Sequence, residues 1–116
     1  MRRPIPALAL TAACVAFAMP AAAASFDCAK ARKPDERAIC AHRDLNDQDV
    51  RVDQLYGITR HLVPMSGRDA IMDQQRAWLK ARQACGANHA CLARSYDQRL
   101  RELNTVMDRV YQQGPF

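Results

Sequence analysis

The sequence predicts an all-α fold: a small antiparallel helical bundle of three long helices plus a short N-terminal one, stapled by two disulfides. Three observations carry this. Apolar residues recur every three to four positions along most of the chain, the repeat of a one-faced helix, and no segment of useful length alternates with the period of a strand. Pro, Gly, Ser, Asp and Asn fall between the periodic runs, where helices start and stop. Four of the five cysteines lie beyond the first 24 residues, an even number in a short chain.

Those first 24 residues read as a secretory signal. Arg2 and Arg3 precede an apolar run from Pro6 to Met19, and Ala22, Ala23 and Ala24 supply the small residues that a signal peptidase requires. The run is short for a bilayer span and Pro20 interrupts it, which favours a cleaved signal over an anchor. Cys14 is not read as a lipidation site, because Thr11 stands three residues before it and the apolar run continues past it. The expected organisation is a signal peptide over 1–24 and one helical domain over 25–116, placed in the periplasm or secreted. Removing the signal leaves 92 residues (116 minus 24) with 15 Lys and Arg (17 minus Arg2 and Arg3) against 12 Asp and Glu, a charge of +3. A chain this short buries a marginal core and gains from cross-links.

Residues 26–33 show no period and are expected to run extended. Pro34 suits the first turn of a helix, and Asp35 and Glu36 stand at the positive end of its dipole. A short helix over about 34–42 then turns Ile39 and Cys40 inward. Asp44 reads as the N-cap of the second helix, with Asp47 as its capping-box partner. The stripe of that helix is Leu45, Val52, Leu55, Tyr56, Thr59, Leu62 and Val63, ended by Pro64 and Gly67. Ser66 reads as the cap of the third helix, whose inward stripe is Ile71, Gln75, Trp78, Leu79, Arg82 and Cys85. Gly86 stands where a helix end calls for a left-handed residue, and Asn88 is a competent cap for the last helix. Leu92, Tyr96, Leu100, Leu103, Val106, Met107 and Val110 line that helix until it frays near Gly114. Short connections make consecutive helices antiparallel.

Cys28, Cys40, Cys85 and Cys91 remain after processing, and export is the setting in which disulfides form. Neither spacing is the short knuckle of a structural zinc site, so disulfides are expected and no metal or cofactor is. Cys85 ends the third helix and Cys91 sits in the first turn of the fourth, so a bond between them closes a helical hairpin. Cys28 and Cys40 then fold the extended segment back along the first helix. The sequence leaves the two crossed connectivities open.

The runs FDCAK, PDERAIC, DLNDQD followed by VDQLY, QRAWLKARQACG and CLARSYDQRLREL together resemble the LprI N-terminal-like domain, a lysozyme-inhibitor family of small exported bacterial proteins. The resemblance covers nearly all of residues 26–107. It implies an all-helical disulfide-bonded domain and a role in inhibiting lysozyme. Gln48 departs from it, standing where similar sequences often carry an apolar residue.

Three charged residues fall on apolar stripes: Asp49, Arg82 and Arg99. Unpaired buried ions are costly, so Asp49 is expected to pair with Arg82, with Arg99 nearby, and Trp78 and Tyr96 are expected as core aromatics beside them. His42, His61 and His89 stand at separate helix ends without metal-ligand spacing and are expected in solvent. Ser25, Ser66 and Ser95 have no triad-like context, and the two glutamates, Glu36 and Glu102, are far apart in sequence. The chain is therefore read as a binding protein and not as an enzyme.

Charge is uneven. Asp44, Asp47, Asp49 and Asp53 cluster on the second helix, whereas Arg76, Lys80, Arg82, Arg94, Arg99 and Arg101 dominate the third and fourth. One expected partner is a lysozyme or another cell-wall hydrolase, although a mature charge of +3 does not steer association with a basic enzyme. The alternative is an envelope structural or stress protein that binds polyanionic surface polymers through its basic half. Nucleic acid suits the charge but not the compartment. In the stretch 75–91, Arg76, Lys80, Gly86, Ala87, Asn88 and His89 are the residues expected to be free to meet a partner.

Overall fold

A computed structural model describes residues 24–114. The proposed signal peptide, with Cys14, lies outside the described residues except for Ala24. A single 3-10 turn over Cys28–Lys30 precedes four helices: α1 (Pro34–Ala41), α2 (Arg43–Leu62), α3 (Met65–Ala84) and α4 (His89–Gln112). No strand occurs among the described residues. The chain folds as the all-α bundle that its periodicity predicts, with one short and three long helices.

Pro34 opens α1 where its missing N–H costs nothing, and the Glu36 carboxylate accepts from the backbone N–H groups of Arg32 and Lys33. Gly86 takes φ +55° after α3, and its N–H donates to the Gln83 carbonyl. Asn88 then caps α4, its side-chain oxygen accepting from the Cys91 N–H at 2.9 Å.

Two expected caps are corrected. Asp44 lies within the first turn of α2; the N-cap is His42, whose side chain makes no capping bond. Only that one residue separates α1 from α2, so it must end one helix and begin the other. Ser66 and Gly67 lie inside the first turn of α3, whose N-cap is Pro64. The helix starts at once after the proline, with the Arg68 N–H donating to the Pro64 carbonyl. Leu62 is corrected as well: it is 43% exposed, whereas Thr59 one turn before it on the same helix is fully buried. Ile58, Met65 and Tyr111 are exposed too.

The core gathers Ala38 and Ile39 of α1, Leu45 and Val52 of α2, Trp78 of α3, and Leu92, Tyr96 and Leu103 of α4. Phe26, from the extended leader, packs against it. Helix α2 packs most extensively on α4, and the two run in the same direction: Asp44 meets His89, Gln48 meets Asp97 and Asp49 meets Tyr96. Helix α3 runs antiparallel to both, with Arg82 opposite Asp49 and Gln75 opposite Arg99. Gln48 donates to Asp97 at 2.6 Å, a polar contact between α2 and α4.

The disulfides are Cys28–Cys40 and Cys85–Cys91, with Cα separations of 5.8 and 5.5 Å. The crossed connectivities are not formed. The first bond ties the leader to α1, and the second closes the hairpin of α3 and α4.

Candidate functional site

The molecule's most concentrated chemistry is a buried polar cluster. The Arg82 guanidinium, with its side chain 5% exposed, donates to Asp35 at 3.0 Å and to Asp49 at 3.4 Å. The Tyr96 hydroxyl donates to Asp49 at 2.8 Å, and the Ser25 backbone N–H donates to the same carboxylate at 2.7 Å. Trp78 and Phe26 present their rings to the guanidinium at 5.7 and 5.8 Å, which completes a shell around a charge withdrawn from water. Burial, and then the neighbouring Asp49 carboxylate, push the Tyr96 phenol well above its usual range, so it stays a neutral donor. A cavity of about 260 Å³ opens beside the cluster between α2 and α3, bordered by Ser25, Asp53, Tyr56 and Gln75. These groups tie the leader, α1, α2, α3 and α4 to one another.

Sequence reasoning pairs Asp49 with Arg82, and the structure holds them together, but Asp35 is the closer partner. Asp35 looks like a dipole residue in a helix's first turn, yet it is only 1% exposed. The signal that would have found it is its spacing: Asp35, Ala38 and Ile39 stand at i, i+3 and i+4 on one buried face. Arg99, expected near the pair, does not reach it; its guanidinium donates to Gln75 at 2.9 Å and to Glu102 at 3.0 Å. Trp78 donates from its indole N–H to the Ser95 carbonyl at 3.0 Å and meets Tyr96 edge-on, with centroids 5.3 Å apart.

The charged surfaces change once burial is known. Asp49, Arg82 and Arg99 are buried and paired, so they leave both surface clusters. Arg76 is exposed and held by Asp73 one turn before it. Lys80, Arg94 and Arg101 are exposed, as are Asp44, Asp47 and Asp53 on the acidic helix. At the tip, Ala87, Asn88 and His89 are exposed and Gly86 is half-buried.

The sequence profile of a family described as lysozyme inhibitor LprI matches residues 28–103, a span that takes in both disulfides and Asp35, Asp49, Arg82 and Tyr96. The chain belongs to the LprI family. No curated protein and no solved structure matches it.

In this LprI domain the matched span begins at Cys28, where the first staple anchors the leader, and ends at Leu103, the core residue of α4 that is 1% exposed. Two histidines of the LprI domain escape the spacing argument. His42 and His89 are not at separate sites: their rings meet edge-on with centroids 4.9 Å apart, and His89 Nε2 lies 2.7 Å from Asp44 Oδ2. They are exposed as expected, but the fold of α2 against α4 brings them together.

Proposed function

We propose that this LprI-family protein is an exported, non-catalytic binder of lysozyme or a related cell-wall hydrolase, processed after Ala24. The family match carries the reading. The two disulfides suit an oxidising compartment, and no helix among the described residues is long and apolar enough to cross a membrane. A hairpin tip closed by Cys85–Cys91 supplies a rigid presentation of residues 86–89, which lowers the ordering cost of association.

The polyanion alternative draws less support from the fold, because burial withdraws Arg82 and Arg99 from the basic surface and leaves Lys80, Arg94 and Arg101 exposed beside a salt-bridged Arg76. Salt separates the two readings: a polyanion complex weakens steeply with ionic strength, and a packed protein interface weakens little. The deciding assay measures the activity of several lysozymes with purified oxidised protein. Inhibition of at least one is expected at about micromolar excess of the protein, a range set by ordinary complex affinities. No inhibition of any of them removes the proposal and leaves the fold untouched. Ala87→Arg at the tip and Met65→Ser at the opposite, apolar end of the bundle then locate the surface, with the tip variant expected to lose inhibition.

A further inference from the structure

His42, Asp44 and His89 come from places that no spacing rule connects. His42 is the single residue between α1 and α2, Asp44 lies in the first turn of α2, and His89 opens α4. The fold brings one potential ligand atom from each to within 4.8 Å of the others. All three side chains are exposed, so an ion has access and the side chains have room to turn. Around a tetrahedral zinc with bonds of about 2.0–2.2 Å, donor atoms stand about 3.4 Å apart, a spacing within reach of small rotations.

We infer that His42, Asp44 and His89 form a site for a borderline divalent transition-metal ion such as Zn2+. Two imidazoles and one carboxylate are the donor set such an ion prefers, and three protein ligands leave a coordination position open to solvent or to a donor on a partner. Hard cations ask for six or more oxygen ligands and find one carboxylate here. The four described cysteines are all engaged in disulfides and offer no competing thiolate. A bound ion braces the corner between α1 and α2 against the start of α4, at the end of the bundle that carries the Cys85–Cys91 staple. The competing account is a surface hydrogen bond between His89 and Asp44 with His42 packed beside it, which gives no saturable metal binding.

The test is titration calorimetry of Zn2+ into the full chain expressed for export, purified oxidised and free of any histidine tag. One equivalent is expected to bind. His42→Ala, His89→Ala and the isosteric Asp44→Asn are each expected to weaken binding by at least about tenfold, since even outer partners of a metal site are worth that much. His61→Ala, at the far end of α2, is expected to bind as the parent does, and Ca2+ is expected not to compete. Zn2+ is also expected to raise the melting temperature of the parent and not of the His42 or His89 variants. No saturable binding, equal binding of Ca2+, or binding indifferent to His42 and His89 overturns the site.

A second, independent observation concerns charge. The buried cluster holds two carboxylates, Asp35 and Asp49, and one guanidinium, Arg82, so it is one cation short. The Ser25 backbone nitrogen lies 2.7 Å from Asp49 Oδ2, and Ser25 is the residue that follows Ala22–Ala24. The geometry points to the amino group released by processing as the missing cation. Hydrolysis of the Ala24–Ser25 bond consumes one water, leaves a carboxylate on Ala24 and frees an amine on Ser25, which takes up a proton near neutral pH. Removal of the signal then turns a hydrogen bond to Asp49 into an ion pair and couples maturation to stability. This inference rests on the proposed cleavage after Ala24.

Insertion of two glycines between Ala24 and Ser25 moves the new amino group away from Asp49 while retaining export. Intact mass identifies the first residue of each purified protein. The extended form is expected to melt about 4–8 °C below the form that begins at Ser25, and the difference is expected to vanish in an Asp49→Asn background. A first residue other than Ser25 in the parent overturns the processing step itself. Equal melting temperatures with Ser25 confirmed as first residue overturn the pairing alone.

Discussion

Replacing Arg82 by Met is expected to cost about 3–5 kcal/mol, because it strands two carboxylates in the interior. Asp35 and Asp49 are 1% and 2% exposed, and both point at this one guanidinium. In a domain of this size each kcal/mol corresponds to about 4–8 °C in melting temperature, so the variant should melt more than about 10 °C below the parent. Asp49→Ala is expected to cost less. It deprives Tyr96 and the Ser25 N–H of their acceptor, but Arg82 keeps its shorter contact to Asp35 at 3.0 Å. The order Arg82→Met worse than Asp49→Ala therefore distinguishes a shared cation from a simple pair. Thermal denaturation with both disulfides intact measures it, and an Arg82→Met protein with the parent's midpoint removes the cluster as a source of stability.

Reduction of both disulfides is expected to remove about 5 kcal/mol. The bonds close loops with sequence separations of 12 and 6, and the loop-entropy relation assigns roughly 2–3 kcal/mol to each. A small domain has a total stability of about 5–15 kcal/mol, so the reduced chain is expected to be largely unfolded or close to it. Urea denaturation with and without reductant provides the comparison. The separate double variants, Cys28→Ser with Cys40→Ser and Cys85→Ser with Cys91→Ser, should divide the loss, with the longer loop contributing slightly more. Coincident urea midpoints for oxidised and reduced protein would show that the staples hold local geometry only.

The helices were legible because their signals are local. The three- to four-residue repeat, Pro34 at the start of α1, Gly86 after α3 and Asn88 before α4 each act within about one helical turn, so the sequence displays them directly. The caps at Asp44 and Ser66 were misplaced for the opposite reason. Connections of one or two residues put the caps at His42 and Pro64, whose side chains make no capping bond and so give no local signal.

By itself, then, this sequence determined the helical class, the local disulfides as the favoured pairing, and an interior ion pair between Asp49 and Arg82. All of these follow from spacing along one or two elements and from the cost of burying a lone charge. Tertiary structure alone decided that Asp35 shares the guanidinium, that Arg99 turns instead to Gln75, and that His42 and Asp44 meet His89. Those contacts join residues between 24 and 47 positions apart. No local periodicity encodes which faces of separate helices will meet; only the packing of α1, α2, α3 and α4 into one core brings them within bonding distance.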